Sequence, residues 1–222
     1  MNPRIFPSLE EIWKLRPSFF LPFNLKSGSK AKAWRWRVVD ISTASCLAVA
    51  SGIVFWVADF LPFSALQTLL PGFGGILNGL WLFAGPLAAI IVRKPGAALY
   101  CELLASILEA LMGNIYGGAS VIIPGFFEGL GAEIVFALFF YRVWNIATVC
   151  LSSMLSGFFC WAESFLTDLQ AISFSGPYGL AYLLFTLLSS LLTGIGAWCL
   201  YRAIARTGAL DRFRSGREGR SI

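Results

Sequence analysis

Glu102, Glu109, Glu128 and Glu133 fall within one stretch, RKPGAALYCELLASILEALMGNIYGGASVIIPGFFEGLGAE, whose segments on either side of GNIYGGAS are apolar enough to cross a bilayer. A carboxylate at membrane depth costs roughly 2.5 kcal/mol or more to insert, so such groups face a cavity, a partner or a substrate. Glu102 and Glu109 are seven residues apart, two turns of a helix, and share a face. Five residues separate Glu128 from Glu133, about 500° of helical rotation, so these two point in different directions and serve different tasks. No Lys or Arg lies within an apolar segment to neutralise any of them. Unpaired acids so placed attract a cation or a molecule rich in hydrogen-bond donors, and the stretch reads as the floor and walls of a ligand site.

Other groups gather at the outer end of the same helices. GNIYGGAS offers Asn114 and Tyr116 beside the bare backbone of Gly117 and Gly118, a helix starting near Asn78 carries Trp81 about one turn in, and a later helix brings Trp161 and Glu163. Trp81 reads as an interfacial anchor or as a stacking surface. Asp59 and Asp168 also lie toward this end, where water or backbone accounts for them. The expected ligand is small, flat or aromatic, and cationic or donor-rich.

The elements that must position these residues follow from composition. In 222 residues, 57% are hydrophobic and 13% charged, and the mean hydropathy is +0.73, which predicts an all-α polytopic membrane protein. The 17 Lys and Arg fall in four places: eight in the first 37 residues, Arg93 with Lys94, Arg142, and six from Arg202 onward. That alternation predicts six transmembrane helices in the plasma membrane with both termini cytoplasmic. A net charge of +5 would also suit nucleic acid, but a basic patch for nucleic acid clusters on one soluble face, so the partner expected of these cations is the lipid bilayer. Histidine is absent, which removes HExxH proteases and Ser-His hydrolases; no catalytic residue, metal or cofactor is expected. The five cysteines are scattered singly and read as small buried hydrophobes.

Three regions result. Residues 1–37 form a basic N-terminal tail in which Lys and Arg interleave with Trp34 and Trp36, a pairing suited to lipid headgroups. Residues 38–206 form a six-helix substrate-binding domain, with helices over about 38–60, 78–92, 97–112, 124–141, 146–169 and 177–201, and residues 207–222 form a basic C-terminal tail. The connection from Leu61 to Gly75, rich in Pro, Gly and aromatics, reads as a lid. Ala44, Ala48 and Gly52 recur every four residues on the first helix, a smooth stripe that serves either packing within the chain or docking of a separate subunit.

RKPGAAL at Arg93, the glutamates of CELLASILEALMGN, the EGLGAE run ending at Glu133 and ARTGAL at Ala205 resemble the YkoE-type substrate-binding (S) components of energy-coupling factor (ECF) transporters, with a likeness over about residues 38–210. Membership would imply capture of thiamine or its hydroxymethylpyrimidine precursor outside the cell. Uptake would be driven by a transmembrane coupling subunit and ATP-hydrolysing subunits, since this chain has no GxxxxGK[ST] of its own. The family also implies that Ala44 and Ala48 meet the coupling subunit. Two departures from its pattern are a longer basic N-terminal stretch and Glu128 at a position where relatives more often carry glutamine. A self-sufficient proton-coupled permease is the alternative, although no internal repeat supports it. An enzyme would need a carboxylate pair, for which Glu102 and Glu133 are the candidates.

Overall fold

Runs of Val, Ala, Leu and Ser without an interior proline become helices in the computed structural model, which describes residues 34–61 and 70–221. The chain divides between Arg35 and Trp36, and the unit from Trp36 onward is the one considered below. Its helices are α1 (Val38–Ala58), α2 (Ala84–Val92), α3 (Ala97–Met112), α4 (Ile122–Leu138), α5 (Ile146–Thr167), α6 (Pro177–Arg206) and α7 (Arg214–Ser221). Pro86, Pro124 and Pro177 all sit in first turns, where no intrahelical N–H bond is lost. The described residues contain no strand.

Five segments are long and apolar enough to cross a membrane: Val38–Ala58, Phe73–Val92, Gly118–Leu138, Ile146–Thr167 and Pro177–Arg206. With 16 residues, α3 is shorter, about 24 Å. Exposed Leu180, Leu184, Leu188 and Leu192 run down one side of α6, and Val49, Ile53 and Val57 down α1, an apolar exterior suited to lipid tails. Cys46 and Cys199 belong to this exterior, so the expectation of uniformly buried cysteines holds for Cys101 and Cys160 only.

The second span departs from the expected single helix. It opens as two 3-10 turns, Phe73–Ile76 and Asn78–Leu80, and becomes α-helical only at Ala84. Non-helical backbone at membrane depth must be satisfied by protein, and here α6 does so. Ser189 Oγ accepts from Gly79 N at 2.9 Å and donates to Ile76 O at 2.7 Å, and Thr193 Oγ1 donates to Gly79 O at 2.9 Å. Close approach requires the glycines: a Cβ on Gly75 would lie 2.7 Å from Tyr182 O.

Small residues set the remaining contacts. On α4, a Cβ at Gly129 would come within 3.1 Å of Leu99 Cα on α3, and one at Gly131 within 2.9 Å of Ser156 Cα on α5, so α4 is wedged between those helices. Ser152 and Ser156 tie the second contact by donating to Ala132 O and Glu128 O at 2.9 and 2.8 Å. Ala44, Ala48 and Gly52 are consumed in the same way: all three are buried, and a Cβ on Gly52 would lie 2.8 Å from Ala105 O of α3. The stripe is therefore a packing face inside the chain, and the small residues that α1 leaves exposed are Ser42, Cys46 and Ala50.

The turns that carry Arg93 and Lys94, the α4–α5 connection and the end of α6 meet at one end of the bundle, here termed the basic end. Most of the apolar core lies toward it, including Ile90, Phe136, Val149 and Tyr201. Residues 207–221 are not a free tail. Leu210 and Phe213 are buried, Ser215 Oγ donates to Ile91 O at 2.6 Å, Tyr201 donates to Ser215 O at 2.6 Å, and Glu218 pairs with Arg93 and Arg214. Residues 1–33 of the expected N-terminal tail and residues 62–69 of the expected lid lie outside the described residues.

Candidate functional site

A cavity of about 410 Å³ opens at the end of the bundle opposite the basic one. The split second span contributes Asn78 and Trp81, α3 contributes Ser106 and Glu109, and the α3–α4 connection contributes Tyr116. Gly125 and Glu128 come from α4, Cys160, Glu163, Ser164 and Asp168 from α5 and its end, and Tyr182 from α6.

Asn78 Nδ2 donates to Tyr182 Oη at 2.9 Å and to Thr186 Oγ1 at 3.0 Å, so the start of the split span is oriented by α6. Trp81 Nε1 donates to Glu109 Oε1 at 3.3 Å. Glu109, Glu128 and Glu163 are all buried, and Asp59 at the end of α1 stands beside Glu109. The Tyr116 phenol is about half exposed, and partial burial with the nearby carboxylates of Asp59, Glu109 and Asp168 raises it above its ordinary value. Among the described residues, no Lys or Arg lines the cavity. Its walls thus combine carboxyl groups, aromatic faces and hydroxyls in a setting where Coulomb attraction is weakly screened.

Residues 39–159 match the family described as ABC-type cobalt transport system, permease component. Over 192 residues the chain is 32% identical to the HMP/thiamine permease protein YkoE of Bacillus subtilis (strain 168), covering 82% of this chain and 92% of that one. The crystal structure of an S-component of an ECF transporter superposes with a TM-score of 0.77 at 29% identity, over 83% of this chain and 93% of that one. The chain belongs to the YkoE-type S components of ECF transporters. It is a membrane transport protein and not an enzyme.

Of the residues that the sequence singles out for a site, Trp81, Glu109, Tyr116, Glu128 and Glu163 line the cavity of this S component. The other four lie elsewhere. Asn114 shapes the α3–α4 connection, donating to Gly118 O at 2.7 Å and accepting from Tyr116 N at 2.9 Å. Trp161 donates to Gly179 O at 3.0 Å and packs against Phe165 and Phe174, joining α5 to the start of α6. Glu102 is fully buried below Ser106; one oxygen accepts from Gly85 N, and the other receives no hydrogen bond. Glu133 stands at the basic end, where it accepts from Gly96 N at 2.6 Å, Ala98 N at 2.9 Å and the Tyr141 hydroxyl at 2.6 Å. Glu102 and Glu133 therefore engage different partners and form no carboxylate pair.

Asn78, Ser106, Ser164 and Tyr182 are cavity residues that the sequence reading passes over, and Asp168, assigned there to water, is another. A signal existed for the first: Asn78 is the sole strongly polar residue in the glycine-dense run GFGGILNGL, and the glycines announce irregular backbone.

Proposed function

We propose that this S component captures thiamine, in preference to uncharged hydroxymethylpyrimidine, in the cavity on the outer side of the plasma membrane. Delivery inward then depends on a transmembrane coupling subunit and ATP-hydrolysing subunits. The observation that carries this reading is the cavity's charge: Glu109, Glu128, Glu163 and Asp168 line it and, among the described residues, no basic residue does. Thiamine brings a permanently cationic thiazolium ring, which those acids attract and which Trp81 and Tyr116 can face. Hydroxymethylpyrimidine has no such fixed charge. A volume of about 410 Å³ lies within the usual range for sites of small organic ligands. Cobalt, named in the family's description, is less suited to these walls. The chain has no histidine, and among the described residues no group of three His, Cys, Asp or Glu side chains is placed to hold a metal ion.

The basic end faces the cytoplasm in this reading, consistent with Arg93, Lys94, Arg142, Arg202 and Arg206 at the ends of the apolar segments. The segment α3 then completes a set of six spans, with both termini inside. Docking on the coupling subunit requires a face open to the bilayer. On α1 the exposed positions Ser42, Cys46 and Ala50 supply one, whereas Ala44, Ala48 and Gly52 are closed against α3.

Uptake of labelled thiamine by a host without thiamine transporters of its own tests the proposal. The chain expressed with an ECF coupling subunit and its ATPases is expected to accumulate thiamine, and the chain alone is not. Accumulation without the ATPases would overturn the dependence on partners and indicate a proton-coupled permease.

A further inference from the structure

Asp59, which ends α1, and Glu109, in the last turn of α3, bring their carboxyl groups together. Both side chains are only 1% exposed. Neither oxygen of Asp59 receives a hydrogen bond, and Glu109 receives one from Trp81. The ion pairs found among the described residues lie at the basic end and leave these two acids without a countercharge. The titratable groups facing the pair are Tyr116 on the α3–α4 connection, Glu128 on α4 and, deeper on α3, Glu102, none of them basic. An ionised carboxyl group can only accept hydrogen bonds, so two ionised ones in contact repel and leave that contact unsatisfied. A single proton between them turns the contact into an O–H···O hydrogen bond and halves the charge.

We propose that Asp59 and Glu109 share one proton in the ligand-free protein and release it when a cation enters the cavity, so that capture exchanges a proton for the ligand. This rests on the reading of the cavity as a site for an organic cation. Asp59 does not line the cavity, so it acts through Glu109 as a positioning residue. The arriving positive charge stabilises the doubly ionised pair, and the displaced proton leaves to solvent. Because a proton is released on binding, affinity for a permanent cation rises with pH across the range in which the pair gives up its proton. In Asp59→Asn the amide group puts a hydrogen-bond donor where the acid stood, which favours an ionised Glu109, so binding persists and the proton exchange is lost.

Calorimetric titration of the detergent-purified full chain with thiamine, at one pH in two buffers of different ionisation enthalpy, counts the protons. About one proton released per thiamine is expected for the wild type and none for Asp59→Asn. An equal count in both, or thiamine binding to the wild type with no release, would overturn the proposal. Absence of thiamine binding would sink the ligand assignment instead, and the pair is then read without ligand. The infrared band of a protonated carboxyl group, present in the wild type at neutral pH, is expected to weaken in Asp59→Asn and in Glu109→Gln. An unchanged band in a variant that elutes as folded protein would overturn the shared proton.

Discussion

Glu133 and Glu109 are the same residue type on neighbouring helices, and their surroundings give them separate work. The Glu133 carboxylate holds backbone N–H groups at the start of α3 and the hydroxyl of Tyr141, whose positive φ of 54° turns its side chain back toward α4. Removing that acceptor leaves several buried donors unpaired. Glu133→Ala is expected to lose about 2–4 kcal/mol and to melt at least about 4–8 °C lower, while the folded fraction binds thiamine within about twofold of the wild type. Thermal unfolding in detergent with a parallel binding titration checks this; lost affinity at unchanged melting temperature would move Glu133 into the site. Spacing alone places Glu102 and Glu109 on one face, and both are indeed buried. Depth along that face is what separates them: Ser106 stands between Glu102 and the cavity, and helical periodicity carries no information on where a cavity stops.

At the scale of elements, the five long apolar segments and the shorter helix α3 were legible because hydrophobic length and basic punctuation are local properties of the chain. The split in the second span was not, since its residues are as apolar as those of a continuous helix and the departure depends on hydrogen bonds supplied by α6. Gly75→Ala tests that dependence. Its Cβ would press on the carbonyl of Tyr182, shifting the first 3-10 turn and with it Asn78 and Trp81. Thiamine affinity is expected to fall about tenfold; an unchanged dissociation constant would show that the split span does not position the site. The small-residue stripe on α1 was visible too, yet the sequence could not say which of two stripes faces inward. Ala48→Leu is expected to overpack the α1–α3 contact and lower stability by about 1–3 kcal/mol. Ala50→Leu, on the exposed side, should leave the melting temperature unchanged and reduce co-purification with the coupling subunit. The reverse pattern would return the docking face to Ala44 and Ala48.

Across the whole molecule, charge is divided between a basic end that is closed and an acidic cavity that is open. Closure at the basic end involves α7, which the composition of residues 207–222 disguises as a solvated tail because its buried contacts come from Leu210, Phe213 and two glycines among many arginines. Burial opposes ionisation of Glu218, but hydrogen bonds from Arg93 and Arg214 outweigh it and hold the carboxyl below the usual range. A depressed value contributes stability that is complete above the unfolded pKa of about 4.3 and is lost as pH falls through the folded one. Deuterium uptake over residues 214–221, corrected for intrinsic exchange, is therefore expected to stay low from pH 7 to 5 and to rise below about pH 4, while α5 stays protected. Uptake independent of pH would dissociate the docking of α7 from Glu218.

The cavity's charge is the central claim, and quenching of tryptophan fluorescence reports on it directly because Trp81 lies in its wall. The measurement is a titration of the detergent-purified wild type and Glu109→Gln with thiamine and with hydroxymethylpyrimidine. Saturable quenching is expected at lower concentrations of thiamine than of hydroxymethylpyrimidine. Glu109→Gln is expected to weaken thiamine by about tenfold or more and to leave hydroxymethylpyrimidine within about threefold. Binding of hydroxymethylpyrimidine as tight as that of thiamine, with both unaffected by Glu109→Gln, would contradict a cation-selective cavity.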